Sequence, residues 1–181
     1  AGQGGSPPRP RVRRRPVAES FPAITIWQPW ATLITEGAKP YEFRGWAPAG
    51  RMIGRRIAIH AGARPVRIAE IRDLLAKLQS PWWRETGVDR AIAIPLLERV
   101  LNAPKSLPLS SILCTAVLGK PIRNRELADA MGIAWVNDSD RHEHSNWGWP
   151  LTQIQKLEPL QPARGAQGWW QWTPMREAAH G

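Results

Sequence analysis

Residues 37–44, Gly-Ala-Lys-Pro-Tyr-Glu-Phe-Arg, gather three charged side chains that can do acid–base or anion-binding chemistry. On a strand Glu42 and Arg44 share one face, so they can form a charge-assisted pair. Lys39 would face the other way unless the chain turns at Pro40, which restricts the residue before it. A lysine in a cleft beside Arg44 should have a lowered pKa, which suits a base or nucleophile, although a nearby Glu42 opposes that shift. The alternative is an Arg–Glu pair that only braces the fold, with Lys39 at its rim.

Tryptophan supplies the second set of candidates, because the chain holds eleven Trp against two Phe and one Tyr. A Trp can fill a core or stack on a nucleobase, and so many are not all expected in the core. At least two of Trp169, Trp170 and Trp172 should pack inside. His60 faces the interior or a cleft; a hydrogen-bonded structural role is predicted first for it, with a nucleic-acid contact as the alternative. The predicted nucleic-acid contacts are Trp27, Gln28, Trp30, Lys39, Arg44, His60, Asn146 and Trp147, and the predicted catalytic residues, if the protein is an enzyme, are Lys39 and Glu42.

Other chemistries find little support in the sequence. No Gly-rich phosphate or dinucleotide motif is present, so no cofactor is predicted. Cys114 stands in an apolar run and is expected to be a small core residue rather than a nucleophile. A polar loop over 137–146 holds possible metal ligands, but nothing rigid fixes them, so we predict a solvated loop and no metal. Those possible ligands are Asp138, Asp140, His142 and His144, with Glu143 between the histidines.

Hydrophobic periodicity predicts the elements that must position these residues. Strands are expected at 23–28, 39–44, 56–61 and 111–122, and two more near the end at 147–160 and 169–172. Helices are expected from Pro29 to Gly37, over 66–78, over 95–101 and over 126–131.

The order of four motifs resembles the ASCH domain family of the PUA-like superfamily. They are Trp27-Gln28-Pro29-Trp30, the pattern Gly-x-Lys-x-x-Glu-x-Arg over 37–44, Ile59-His60-Ala61, and the closing Arg-Gly-x-x-Gly-Trp segment from residue 164. The resemblance covers about residues 23–173 and leaves an enlarged helical middle, 65–110, without a counterpart. It implies an α+β fold, a PUA-like mixed and partly closed β-barrel with flanking helices, as a single domain over 21–176.

The resemblance also implies a cleft that takes RNA or a modified nucleoside. Some members hydrolyse N4-acetylcytidine with a Lys, a Thr three positions later and a distant Glu, and others are ribonucleases. Lys39 matches that Lys, but position 42 is Glu, and no equivalent of the distant Glu can be placed. RNA or nucleobase binding is therefore the leading prediction. The alternative is a hydrolase, acting on N4-acetylcytidine or as a metal-independent ribonuclease, and a protein-interaction domain that uses exposed Trp is a third option.

Composition agrees with a polyanionic partner. The 181 residues carry 25 Lys and Arg against 15 Asp and Glu, a net charge of +10. Residues 1–20 hold five arginines and little to bury, so they are predicted to be a disordered basic arm that contacts phosphates, or else a solvated tail without a role. No apolar run is long enough for a membrane span, and no signal segment is evident. A cytoplasmic protein with no membrane partner is expected.

Overall fold

The computed structural model describes residues 19–139 and 142–175. Nearly all of the basic arm therefore lies outside the described residues. The structure is α+β: seven strands form one mixed sheet, and four α-helices pack around it. The strands are β1 (Phe21–Ile26), β2 (Tyr41–Arg44), β3 (Arg56–Ala61), β4 (Ser111–Leu118), β5 (Ile122–Arg123), β6 (Trp147–Pro162) and β7 (Trp170–Trp172).

Their order in the sheet is β2-β6-β4-β3-β1-β7, with β5 also paired to β6. β1 and β3 run parallel, with Thr25 opposite His60, and the other pairs are antiparallel. β6 is 16 residues long, so its first residues pair with β2 and β5 while the rest pairs with β4. This long strand brings the Lys39 segment into the same sheet as β1 and β3.

The sheet is not closed into a barrel, which corrects the expectation of a partly closed one. β2 and β7 lie at its two ends, and no backbone pairing joins them within the described ranges. Tryptophan rings lie beyond both end strands instead. Trp46, which follows β2, lies edge-on to Trp169, which precedes β7, and Trp169 stacks on Trp149 with ring centroids 5.6 Å apart. Contacts between indole rings, rather than a hydrogen-bonded ladder, thus join the segments next to the two end strands.

The helices are α1 (Trp30–Thr35), α2 (Ile68–Gln79), α3 (Arg90–Asn102) and α4 (Asn124–Met131). Short 3₁₀ helices span Gly50–Met52, Trp83–Thr86, Pro104–Ser106 and His142–Ser145. Apolar residues of α2 recur with helical spacing and bury Ile71, Leu74, Leu75 and Leu78 against α3 and α1. A second core lies between α1 and the sheet. None of the described helices is both long and apolar enough to cross a membrane.

Two element boundaries differ from the sequence-based expectation by more than two residues. α3 begins at Arg90 and carries Pro95 inside it, whereas proline was expected to mark the first turn. Asp89 explains the earlier start, because its carboxylate caps the helix by accepting a hydrogen bond from the Ala91 N–H at 2.9 Å. The strand expected over 111–122 is divided, and β4 ends at Leu118 before the short β5.

Candidate nucleic-acid interface

A tight corner between α1 and β2 sets the position of Lys39. α1 ends at Thr35 and is followed by the turn residues Glu36 and Gly37; Gly37 has a φ of +78°, which glycine adopts without strain. The next two amides, those of Ala38 and Lys39, both donate to the Leu33 carbonyl, at 2.8 and 3.1 Å. The corner therefore directs the Lys39 side chain inward, and the residue is only 1% exposed.

The Lys39 ammonium has three oxygen partners, which is as many as it has protons. Nζ donates to the Tyr41 carbonyl at 2.7 Å, to Glu42 Oε2 at 3.0 Å and to Asp138 Oδ2 at 2.9 Å. The Phe43 ring, whose centroid is 5.2 Å from Nζ, borders the same space. Lys39 is therefore a fully bonded internal cation and not a residue at the rim.

Glu42 joins Lys39 to Arg44. Its Oε1 lies 2.9 Å from Arg44 Nε, so one carboxylate contacts two cations. Arg44 also donates from Nη2 to the Thr25 carbonyl at 3.1 Å, which links β2 to β1 where the sheet is open. We call Lys39, Glu42, Arg44 and Asp138 the charge network; its formal charge is zero.

Asp138 comes from the loop between α4 and β6, which was expected to be solvated. That expectation is wrong for Asn137, Asp138 and Ser145, which are buried or half-buried, whereas Glu143 and His144 are exposed. The buried Asn124 side chain donates to the carbonyls of Val136 and Ser145, and its own carbonyl accepts from the Val136 amide at 3.1 Å. Asn137 Oδ1 accepts from Ser145 Oγ at 2.8 Å. These bonds hold Asp138 over Lys39, 99 positions away in sequence, so no local pattern could have revealed the pair.

The three buried groups of the network have shifted pKa values. Burial alone would lower the pKa of Lys39, but the charges of Asp138 and Glu42 outweigh it and raise the pKa. This corrects the expectation of a lowered value. Burial would raise the pKa of Glu42, yet Lys39 and Arg44 bring it below the usual range. Burial raises the pKa of Asp138, since Lys39 offsets only part of that cost and Glu42 adds repulsion.

Access to the network increases towards Arg44. Relative side-chain exposure is 0% for Lys39, 7% for Glu42, 11% for Asp138 and 25% for Arg44. The Arg44 guanidinium lies 6.0 Å from the Trp149 ring centroid, and Trp46, half-exposed, contacts the same ring edge-on at 4.8 Å. A partly exposed guanidinium beside indole rings is a suitable environment for a phosphate or a stacked base.

The other predicted contact residues fall into two groups: three tryptophans that are exposed or half-buried, and three polar residues that make contacts inside the fold. Trp27 is 57% exposed with the Arg64 guanidinium 4.3 Å from its ring centroid, and Trp147 is half-buried with Arg123 at 4.0 Å. An arginine guanidinium thus lies over each of these two indole rings. Trp30 is half-buried between the two cores, 5.8 Å from Lys39 Nζ.

Gln28, His60 and Asn146 make contacts inside the fold. Gln28 is buried, donates to the Pro108 carbonyl at 2.8 Å and accepts from the Thr32 amide at 3.1 Å. His60 Nε2 donates to the Ala163 carbonyl at 2.9 Å, and burial lowers the pKa of His60 although that bond opposes the shift. The Asn146 carbonyl accepts from the Asn124 amide at 2.9 Å.

Metal ligands do not cluster in the part of the chain that the structure describes: no three His, Cys, Asp or Glu there are arranged to hold an ion. Asp140 and the His142 side chain lie outside the described residues. Cys114 is buried, and its thiol has a pKa raised by burial to about 11, so it is not a ready nucleophile.

Comparison with known proteins places the chain in a family. A search among curated proteins finds no match. The family model of the ASCH domain matches residues 24–135, which is more than half of the chain and includes residues 24–26 of β1 and all of α1 and β2. This chain belongs to the ASCH domain family.

Proposed function

We propose that this ASCH domain binds single-stranded RNA or a modified nucleobase at the Arg44 end of the charge network. Arg44 is the most exposed of the four side chains, and Trp46 and Trp149 lie beside it. Arginine is suited to this role because its planar guanidinium recognises phosphate and stacks on aromatic faces. The sequence motifs resemble those of ASCH domains in the PUA-like superfamily. We therefore also infer that the open sheet is a variant of the PUA-like fold.

One observation favours binding over catalysis: the Lys39 ammonium is saturated by three oxygen partners in a site closed to water. A general base or nucleophile needs a free nitrogen lone pair, and a raised pKa keeps Lys39 protonated. The network is therefore suited to fix Arg44 in position by holding Glu42 between two cations. In this proposal Lys39 is a positioning residue.

Hydrolysis of N4-acetylcytidine is the second candidate function, and one contact favours it. Asp138 supplies a distant carboxylate 2.9 Å from Lys39, so a Lys and a remote acid are brought together as in those ASCH members that hydrolyse N4-acetylcytidine. Glu42 remains where those members have Thr. Incubation with N4-acetylcytidine and with RNA, followed by mass spectrometry, distinguishes the two candidates: binding without loss of acetyl groups or of RNA length supports the first.

The binding test compares Arg44→Gln with Arg72→Gln, which removes the same charge from an exposed position on α2. Fluorescence anisotropy with a labelled RNA of roughly 4 nucleotides should give about tenfold weaker binding for Arg44→Gln, since a charge-assisted contact is lost. Arg72→Gln should bind within about twofold of wild type. Equal affinity of the two variants would exclude the Arg44 end as the site.

A further inference from the structure

Trp82 and the 3₁₀ helix Trp83–Thr86, together called the Trp82 turn, present aromatic and basic groups away from the charge network. Trp82 is 67% exposed. Its backbone is nevertheless fixed, because its amide donates to Ser80 Oγ at 3.1 Å and its carbonyl accepts from the Glu85 amide at 3.0 Å. An exposed indole on a fixed backbone loses little entropy when a ring stacks on it.

Two arginines add positive charge at the same place. The guanidinium carbons of Arg84 and Arg90 lie 5.4 and 4.7 Å from the Trp83 ring centroid. Across the described ranges neither arginine has a carboxylate within ion-pair distance, whereas Glu85 is paired with Lys77 at 3.7 Å. Asp89 is the one other acidic neighbour on this segment, and it caps α3. The two guanidiniums are therefore free to contact phosphate.

A groove beside the turn adds space for a base or sugar. Its volume is about 460 Å³, within the usual range for small-ligand sites, and its lining is mainly apolar. The residues that line the groove come from the Trp82 turn, from β2 and the residue before it, and from the loop that holds Asp138. They include Pro40, Tyr41, Phe43, Trp83, Arg84 and Val136.

The turn is also connected to the proposed RNA site. The Asn137 amide donates to the Glu85 carbonyl at 2.8 Å, so the turn is bonded to the residue next to Asp138. Phe43 lines the groove and also borders the Lys39 ammonium. The turn and the charge network are therefore joined by a backbone hydrogen bond and by a shared residue, and only a strand long enough to span them would contact both.

We propose that the Trp82 turn is a second nucleic-acid subsite, at which a nucleotide several positions along the strand from the one held at Arg44 stacks on Trp82 and sets its phosphate against Arg84 and Arg90. The proposal rests on the proposed function for the identity of the ligand. Single-stranded nucleic acid is the favoured occupant because the turn combines an aromatic platform with free cations, whereas an apolar protein segment would leave both guanidiniums unused.

The test compares RNA lengths. Labelled single-stranded RNAs of roughly 4 and 16 nucleotides are titrated by anisotropy against wild type, Trp82→Ala, and Ile53→Ala as an exposed apolar control. We expect Trp82→Ala to bind the long RNA about tenfold more weakly and the short RNA within about twofold. Arg84→Gln with Arg90→Gln should lower the salt slope for the long RNA by up to about 0.7 per phosphate contact. Ile53→Ala should match wild type.

The outcomes separate this proposal from the one it rests on. If Arg44→Gln weakens both RNAs and Trp82→Ala weakens neither, the second subsite is excluded while the Arg44 site stands. If Trp82→Ala weakens the long RNA while Arg44→Gln has no effect, the turn binds RNA and the Arg44 site is excluded. The proposal is overturned if the Trp82 and arginine variants bind both RNAs as wild type does, while wild type binds a protein partner that Trp82→Ala does not bind. The turn would then be a protein-binding site.

Discussion

Lys39 shows how one side chain can depend on partners from distant parts of the chain. Its ammonium is shut away from water, and the cost of that burial is offset by Glu42 from the next strand and Asp138 from a remote loop. Removing a single member of such a network leaves the opposite charge buried without compensation. The energetic penalty of a substitution here should therefore exceed that of a surface ion pair.

Replacing Lys39 by Met, which has a similar length but no charge, should lower the free energy of unfolding by about 3 to 5 kcal/mol at neutral pH. The control is Lys156→Met, since Lys156 pairs with Glu36 at the surface, and it should cost less than about 1 kcal/mol. Urea unfolding measures both. Equal losses would mean that the network contributes no more than a surface pair.

The Lys39→Met penalty should shrink as the pH falls. Asp138 already has a raised pKa, caused mainly by burial, and loss of its cation raises that pKa further. A carboxyl whose folded pKa lies above its unfolded value costs stability when it is ionised, and the cost disappears as pH drops through the folded pKa. The penalty is thus largest near neutral pH, and unfolding curves recorded down to the ordinary carboxyl range can check this. A penalty that grew in acid would contradict the role of Asp138.

At the scale of elements, sequence patterns were sufficient to predict most strands and helices but not every contact between them. β1, β3 and α2 lie within two residues of their predicted bounds, because alternation and helical spacing are local signals. The segment 37–44 was predicted as the site, and the Glu42–Arg44 pair follows from their spacing on β2. Asp138 could not be found in this way, because its contact depends on how Asn124 and Asn137 fold a polar loop back onto β2.

The segment that leads into β7 is packed against β1 and β3 by a chain of hydrogen bonds. Trp170 Nε1 donates to Thr25 Oγ1 at 3.2 Å, and the Thr25 hydroxyl is 3.2 Å from His60 Nδ1. Because Nε2 of His60 donates to Ala163, Nδ1 is the acceptor of this hydroxyl in the neutral ring. The backbone at Gly165 passes close to both side chains: a Cβ added there would be 2.5 Å from His60 Cε1 and 2.6 Å from Thr25 Oγ1.

Gly165→Ala should therefore destabilise the protein by about 1 to 3 kcal/mol, because the methyl group must displace buried atoms. Gly50→Ala is the matched control, since a Cβ there meets nothing within 4 Å. It should change the free energy of unfolding by less than about 1 kcal/mol. Thermal or urea unfolding tests the pair, and faster amide exchange in β7 should accompany the loss. Equal stability of the two variants would show that the 163–170 segment tolerates displacement.

At the scale of the whole molecule, the excess positive charge is unevenly distributed along the chain. The network at the site is neutral, yet the chain carries a net charge of +10, so the excess must lie elsewhere. Five arginines fall within residues 9–15, outside the described residues, and the remaining excess is on the body of the protein. A positive charge of this kind raises the rate of encounter with nucleic acid and makes its affinity depend on salt.

Removal of residues 1–18 should therefore flatten the salt dependence of RNA binding, by up to about 0.7 in the log–log slope for each lost phosphate contact. Affinity should fall most at low salt, while the contacts at Arg44 should be unaffected. A full-length variant with Arg9, Arg11, Arg13, Arg14 and Arg15 changed to Gln keeps the length and removes only the charge. If that variant behaves like the truncation, the arm acts through its arginines. An unchanged slope in both proteins would locate the salt-sensitive contacts on the folded domain, and Arg84 and Arg90 would then be the first positions to neutralise.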